Sequence, residues 1–164
     1  MSMIGNLLRV TNTELKAYLE DSSLLEDRIY NDESGADPNL TDIDKSWEGI
    51  LFLLTGQKLE TLDHPMGRVL FSGQSIDDNL DLGYGPGQYL TPEQVKVLNA
   101  ELSKITAGEI TKRFDPKRMT ELEIYPDIWD EEGVLDYLLD YFHQVQAAYA
   151  AAAASDEAMI VFLN

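Results

Sequence analysis

The chain has 164 residues, of which 44% are apolar and 26% charged, and its 30 acids against 12 bases give a formal net charge of -18. With 11 Gly and no Cys, that mixture excludes a collagen-like chain, a disulfide framework and a fully disordered polymer, which needs high charge together with low hydrophobicity. No apolar run approaches the roughly 18 residues of a membrane span, and the length suits a single domain over 1–164.

Met3 to Val10 is short and mostly apolar, which predicts a strand interrupted by Arg9. Thr11 and Glu14 stand three apart as a capping box, and the helix behind them puts Leu15, Tyr18 and Leu19 on one face. Leu24 to Ile29 adds another turn or two. Asn31 to Thr41 is polar and rich in loop formers, so it reads as a surface loop. Asp44 is placed to cap a helix over Lys45 to Thr55, with Gly56 as its terminator. Trp47, Ile50, Leu51, Leu53 and Leu54 cover most of that helix's circumference, which predicts a central, buried element.

Residues 57–66 read as loop, Val69 to Phe71 as a short strand and Asp77 to Gly87 as loop again. Thr91-Pro92-Glu93-Gln94 combines a cap, a first-turn proline and a closing Gln, opening a helix that runs to about Ile105. Gly108 is expected to break it, with a short helix following through Phe114. Asp115-Pro116 repeats the cap-plus-proline start for Lys117 to Leu122, and Pro126 marks a turn. Asp130 to Ala154 is a long helix striped by Val134, Leu135, Leu138, Leu139, Phe142 and Val145, and Ala158 to Leu163 is a closing strand. The class is α+β: several helices packed on a small mixed or antiparallel sheet that includes both termini.

The charge is uneven. Residues 1–44 carry ten acids and three bases, residues 45–118 ten and nine, and residues 119–164 ten and none. If the two ends meet in space they form one strongly negative face. Such a surface repels phosphate, so nucleic acid and anionic membrane are excluded as partners, and a basic protein is favoured. The alternative is that the acidity serves solubility alone. The N-terminus lacks a basic n-region and a continuous apolar stretch, so a cytoplasmic protein is expected.

Motifs for chemistry are sparse. The absence of Cys rules out thiolate zinc sites and a Cys nucleophile. His64 and His143 are the only histidines and form no H-x-x-x-H pair. Asp77, Asn79 and Asp81 start like a calcium loop, but Leu82 replaces its glycine and Gln88 its bidentate Glu. Gly83 to Gly87 lacks the Lys of a phosphate-binding loop. No metal site and no cofactor are expected. Lys112, Arg113, Lys117 and Arg118 could hold an anion or pair with the surplus carboxylates. Asp136 and Asp140, like charges at i, i+4, are better binding candidates than the acids before them.

Leu40-Thr41-Asp42-Ile43-Asp44-Lys45-Ser46-Trp47, the helix end Leu54-Thr55-Gly56, and Glu121-Leu122-Glu123-Ile124-Tyr125-Pro126 form a recognisable set with the Met-Ile-Gly start. Together, in this order over nearly the whole chain, they resemble the bacterial YfbM-like family, a domain of unknown function. The resemblance implies an α+β fold, no established activity and no catalytic residue to carry across. It directs attention to Asp42, Asp44, Lys45, Trp47, Glu121, Glu123 and Tyr125. In physical terms Asp44 caps, Lys45 neutralises Asp42, and Trp47 anchors its helix, where Glu123 and Tyr125 are placed to meet it. The set is either a structural clasp or a small pocket with convergent carboxylates.

Two functions follow from different classes. One is a non-enzymatic acidic protein-binding module, of the immunity or inhibitor type, that masks a cationic site. The other is an enzyme with a carboxylate-lined pocket around Asp42 and Glu123, such as a divergent ADP-ribosyltransferase-like site with Arg9 on the first strand. Metal sequestration by carboxylates lacks any ordered ligand spacing.

Overall fold

In the computed structural model, which describes residues 2–31 and 35–164, the two chain ends lie side by side as the central strands of one sheet. Strand β1 (Gly5–Val10) pairs antiparallel with β4 (Ala158–Leu163) from Gly5↔Leu163 to Val10↔Ala158. Two three-residue strands flank them, β2 (Leu40–Asp42) outside β1 and β3 (Gln88–Leu90) outside β4. The order is β2-β1-β4-β3, and every pairing is antiparallel.

Both faces of this sheet are covered, which explains the nearly continuous apolar character of its central strands. Alternate residues divide between two cores. Leu7, Met159 and Val161 join the larger one, whereas Leu8, Val10, Ile160 and Phe162 join the smaller. The smaller core is roofed by α1 (Asn12–Glu20) and α2 (Ser23–Tyr30) through Leu15, Tyr18 and Leu25. The larger core collects α3 (Trp47–Thr55), α4 (Pro92–Leu102), α5 (Ala107–Arg113), α6 (Pro116–Glu121) and α7 (Val134–Ala154). Among the described residues no helix is long and apolar enough to cross a membrane.

Three of the capping signals act as read. Thr11 with Glu14 and Thr91 with Gln94 form complete capping boxes, and the Asp115 side chain accepts from the Arg118 N–H. Gly56 ends α3 in the left-handed region at φ 73°. All residues from Trp47 to Leu54 are buried, as the all-round apolar pattern requires.

Several local readings change. Of the loop expected over Asn31 to Thr41, residues 32–34 lie outside the described residues, and Leu40 and Thr41 belong to β2. Val69 to Phe71 is no strand: Val69 closes a 3-10 turn, Pro65–Val69, whose last carbonyl accepts the Tyr149 hydroxyl. Gly108 sits inside α5, not at a break, because the Thr106 side chain caps that helix from outside. The long helix starts at Val134, four residues later than expected, since Asp127 at φ 65° and Gly133 at φ 82° turn the chain first. Asp130, Glu131 and Glu132 therefore precede the helix, and Asp136 alone lies in its first turn.

Gly49 marks the tightest contact of α3. An added Cβ would stand 2.6 Å from the Trp129 ring and 2.8 Å from Leu138. Gly108 in α5 has only the Thr106 hydroxyl nearby, at 3.7 Å. The same substitution thus carries opposite signs at the two sites. Gly49→Ala is expected to lower unfolding free energy by roughly 1–3 kcal/mol through overpacking. Gly108→Ala raises it by about 0.5–1 kcal/mol through helix propensity. Urea denaturation of both variants measures this, and a stabilised Gly49→Ala would refute the packing account.

Candidate functional site

Of the residues singled out from sequence, Trp47, Tyr125, Asp42 and Asp44 fall into two neighbouring arrangements at the start of α3. The first is a clasp. The Trp47 indole N–H donates to the Met3 carbonyl at 3.0 Å, and the Met3 N–H donates to the Tyr125 hydroxyl at 2.9 Å. The Trp47 and Tyr125 rings stack at 5.6 Å with 28° between their planes, and Phe71 meets Trp47 edge-on at 5.7 Å. A helix, a proline turn and the N-terminal segment are thereby held together. The Tyr125–Pro126 bond is cis.

Glu48, which sequence reasoning missed, completes the clasp. It is the one buried carboxylate among the described residues. Its two oxygens accept the Tyr125 N–H at 2.8 Å and the Leu59 N–H at 3.1 Å. Burying a charge is costly unless it is fully hydrogen-bonded. The signal was present in outline: a single acid inside an otherwise apolar, all-round buried helix needs a partner within the fold.

The second arrangement lies where the chain turns from β2 into α3. Asp44 does not cap α3. It opens a 3-10 turn, Asp44–Ser46, at φ 51°, and Ser46 precedes the helix without a side-chain cap. The Asp42 carboxylate accepts the Asp44 N–H at 2.7 Å, which stabilises this left-handed backbone. The freed Asp44 carboxylate accepts the Tyr137 hydroxyl of α7 at 2.8 Å. Tyr137 in turn meets Tyr141 edge-on at 5.1 Å. Lys45, a half-buried residue in the turn, forms no ion pair with Asp42 among the described residues.

Burial and the Asp44 hydrogen bond push the Tyr137 phenol well above its ordinary range. Tyr141 is raised by burial and then by the charges of Asp44, Asp42 and Asp140 together. Acids from both chain ends therefore act on one tyrosine. Glu121 and Glu123 stay outside both arrangements. Glu121 pairs at 3.5 Å with Arg118 on its own helix. Glu123 is exposed at φ 58°, and among the described residues its carboxylate has no hydrogen-bond or ion-pair partner. Among the described residues Asp42 and Glu123 share no hydrogen-bond partner. Among the described residues no group of three or more metal-ligating side chains is assembled.

A family model described as a domain of unknown function, DUF1877, matches residues 1–162. The chain is 30% identical over 132 residues to the protein YfbM of Escherichia coli strain K12, an alignment covering 78% of this chain and 75% of that one. The crystal structure of YfbM from Escherichia coli, itself described as a protein of unknown function, superposes with a TM-score of 0.75 at 23% identity, covering 98% of this chain and 99% of the other. That likeness concerns the fold: the four-stranded antiparallel sheet with its helices and both chain ends inside it.

Two measurements probe the site. Glu48→Ala leaves two backbone N–H groups without a partner and is expected to cost roughly 2–4 kcal/mol of stability, with Glu48→Gln costing less because it keeps one acceptor. Urea titration reads both, and an unaffected Glu48→Ala would remove the clasp. Tyr137, Tyr141 and the fully buried Tyr149 all have raised pKa values in the fold. Their contribution to stability is complete below the unfolded phenol value of about 10 and is lost as pH rises through the folded values. Absorbance near the phenolate band should show fewer ionised tyrosines in native than in urea-unfolded protein just above that pH.

Proposed function

The chain belongs to the DUF1877 family, matched over residues 1–162, and we propose that it is an acidic protein-binding module that engages a basic partner through the Asp42–Asp44 turn and the adjoining face of α7. The observation that carries this reading is the hydrogen bond of the Tyr137 hydroxyl to the Asp44 carboxylate at 2.8 Å, with Tyr141 edge-on to Tyr137 at 5.1 Å, which sets the Asp42–Asp44 turn against α7. It joins the negative first 44 residues to the wholly base-free last 46 residues. Concentrated charge of one sign steers an oppositely charged protein into contact and raises association rate more than affinity.

Tyr137 and Tyr141 supply what charge alone does not. Tyrosines are enriched in interface cores because they offer a rigid apolar surface with a polar tip. Both are half-buried and flank the exposed row of Asp136 and Asp140. An aromatic pair fringed by carboxylates suits an Arg- or Lys-rich surface, with the guanidinium resting on a ring and its N–H groups facing the acids. The immunity or inhibitor version of this reading places that partner's own cationic site under the face.

Affinity capture from native lysate with an eluting salt gradient tests the proposal. The expected result is one stoichiometric basic protein, released by salt. The double variant Asp42→Asn/Asp140→Asn should then slow its association by about tenfold at low ionic strength while leaving the fold intact. A captured partner that is acidic, or that binds the double variant at an unchanged rate, would refute the assignment.

A further inference from the structure

A second surface is built from the opposite end of the charge distribution. The last turn of α3, the loop carrying His64, and the turn joining α4 to α5 enclose a cleft of about 760 Å3. Every residue lining it falls between 52 and 113, inside the stretch 45–118 whose ten acids and nine bases nearly cancel. The cleft is thus walled by the near-neutral part of a strongly acidic molecule. Its size lies within the range of sites for small organic ligands.

Its chemistry is asymmetric. Phe52, Leu54, Met66 and Ile105 give it apolar walls. One oxygen of each of its carboxylates, and one of its backbone carbonyls, already has a partner. Glu109 accepts from Arg113 at 3.1 Å, Glu101 from Lys104 at 3.2 Å, and the Leu53 carbonyl from a second nitrogen of Arg113 at 3.0 Å. Donor capacity is left over. Arg113 is fixed by those two contacts, and among the described residues its remaining guanidinium N–H groups have no partner. The Lys104 pair is an exposed i, i+3 contact that is readily exchanged.

His64 adds a third donor with a set orientation. Its Nδ1 accepts the Met66 N–H at 3.0 Å, so the proton of the neutral ring sits on Nε2. The ring's loop is itself held, because the Gln57 side chain accepts the N–H groups of Asp63 and His64, each at 3.1 Å, and donates to the Asp63 carboxylate at 2.6 Å. A fixed guanidinium, a fixed imidazole N–H and a mobile ammonium border one partly apolar hollow. We propose that this cleft binds a small organic carboxylate with an apolar body, the carboxylate on Arg113, Lys104 and His64 and the body against Phe52, Leu54, Met66 and Ile105. The acidic chain ends do not forbid it, because at physiological salt their field decays over about 8 Å.

The test uses the full chain, labelled with nitrogen-15, titrated with octanoate, octylammonium, octanol and acetate. Octanoate should give saturable amide shifts gathered at Gly56, Met66, Ile105 and Thr106, with millimolar affinity or better. Octylammonium and acetate should each bind at least about tenfold more weakly, since one lacks the charge match and the other the apolar body. Lys104→Glu, a change at an exposed side chain, should weaken octanoate by about tenfold, and His64→Ala by a smaller factor. Octylammonium binding as tightly as octanoate, octanoate shifts scattered away from these residues, unchanged affinity in Lys104→Glu, or no saturable shift at all would each overturn the proposal.

Discussion

The pairing of β1 with β4 is the constraint on which the rest of the molecule depends. It joins residues separated by almost the whole chain, so every intervening element must leave and return to one ladder. The two cores follow from it, because a central strand pair buried on both faces needs a helical layer on each side. The meeting of the Asp42–Asp44 turn with α7 follows as well. α7 runs into β4 and so lies across the strands beside β1, which brings Tyr137 to Asp44, 93 residues earlier in sequence. The Met3 backbone, just ahead of β1, supplies one acceptor and one donor to the Trp47–Tyr125 clasp.

This topology also sorts charge. The base-poor ends are drawn together at β1 and β4, while the near-neutral middle supplies every residue that lines the cleft at the last turn of α3. One helix thus links two surfaces of different chemistry: its first turn borders the Asp42–Asp44 turn, and its last turn borders the cleft of His64 and Arg113. Glu48 fixes one end of that helix to the loops at Leu59 and Tyr125. Arg113 fixes the other end through the Leu53 carbonyl. Among the described residues, the buried helix is held to other elements by side-chain polar contacts near its ends, where its backbone and acid need partners.

What could be read from sequence was local. Thr11 with Glu14, Thr91 with Gln94, and Gly56 announce helix ends through contacts within four residues, and the fold keeps each of them. The terminal strands were legible because six consecutive residues of each are paired. Strands β2 and β3 were not, since three residues carry no periodicity and are extended only because a neighbour hydrogen-bonds to them. The candidate site divides the same way. Trp47 and Tyr125 do meet, and Asp42 and Asp44 do share one turn. Glu48, Tyr137 and Tyr141 went unread because their roles depend on tertiary partners far away in sequence. Asp44 looked like a cap by spacing, yet its positive φ turned the carboxylate toward α7 instead.

Arg9 takes on a different meaning in the time order of synthesis. In the finished protein it is an unremarkable strand residue, reaching Glu157 at 3.1 Å and Asn39 at 2.9 Å. On the ribosome, however, Val10 is made long before its partner Ala158. At ordinary elongation speeds that gap is on the order of ten seconds. Throughout it, the apolar ribbon of Leu7, Leu8 and Val10 lacks a partner along the edge that β4 will occupy, the kind of edge that joins a neighbouring chain. A charged guanidinium in the midst of that ribbon discourages such pairing. The place of Arg9 in β1 is the one such a gatekeeper takes, and Glu157, its ion-pair partner, is among the last residues to be made.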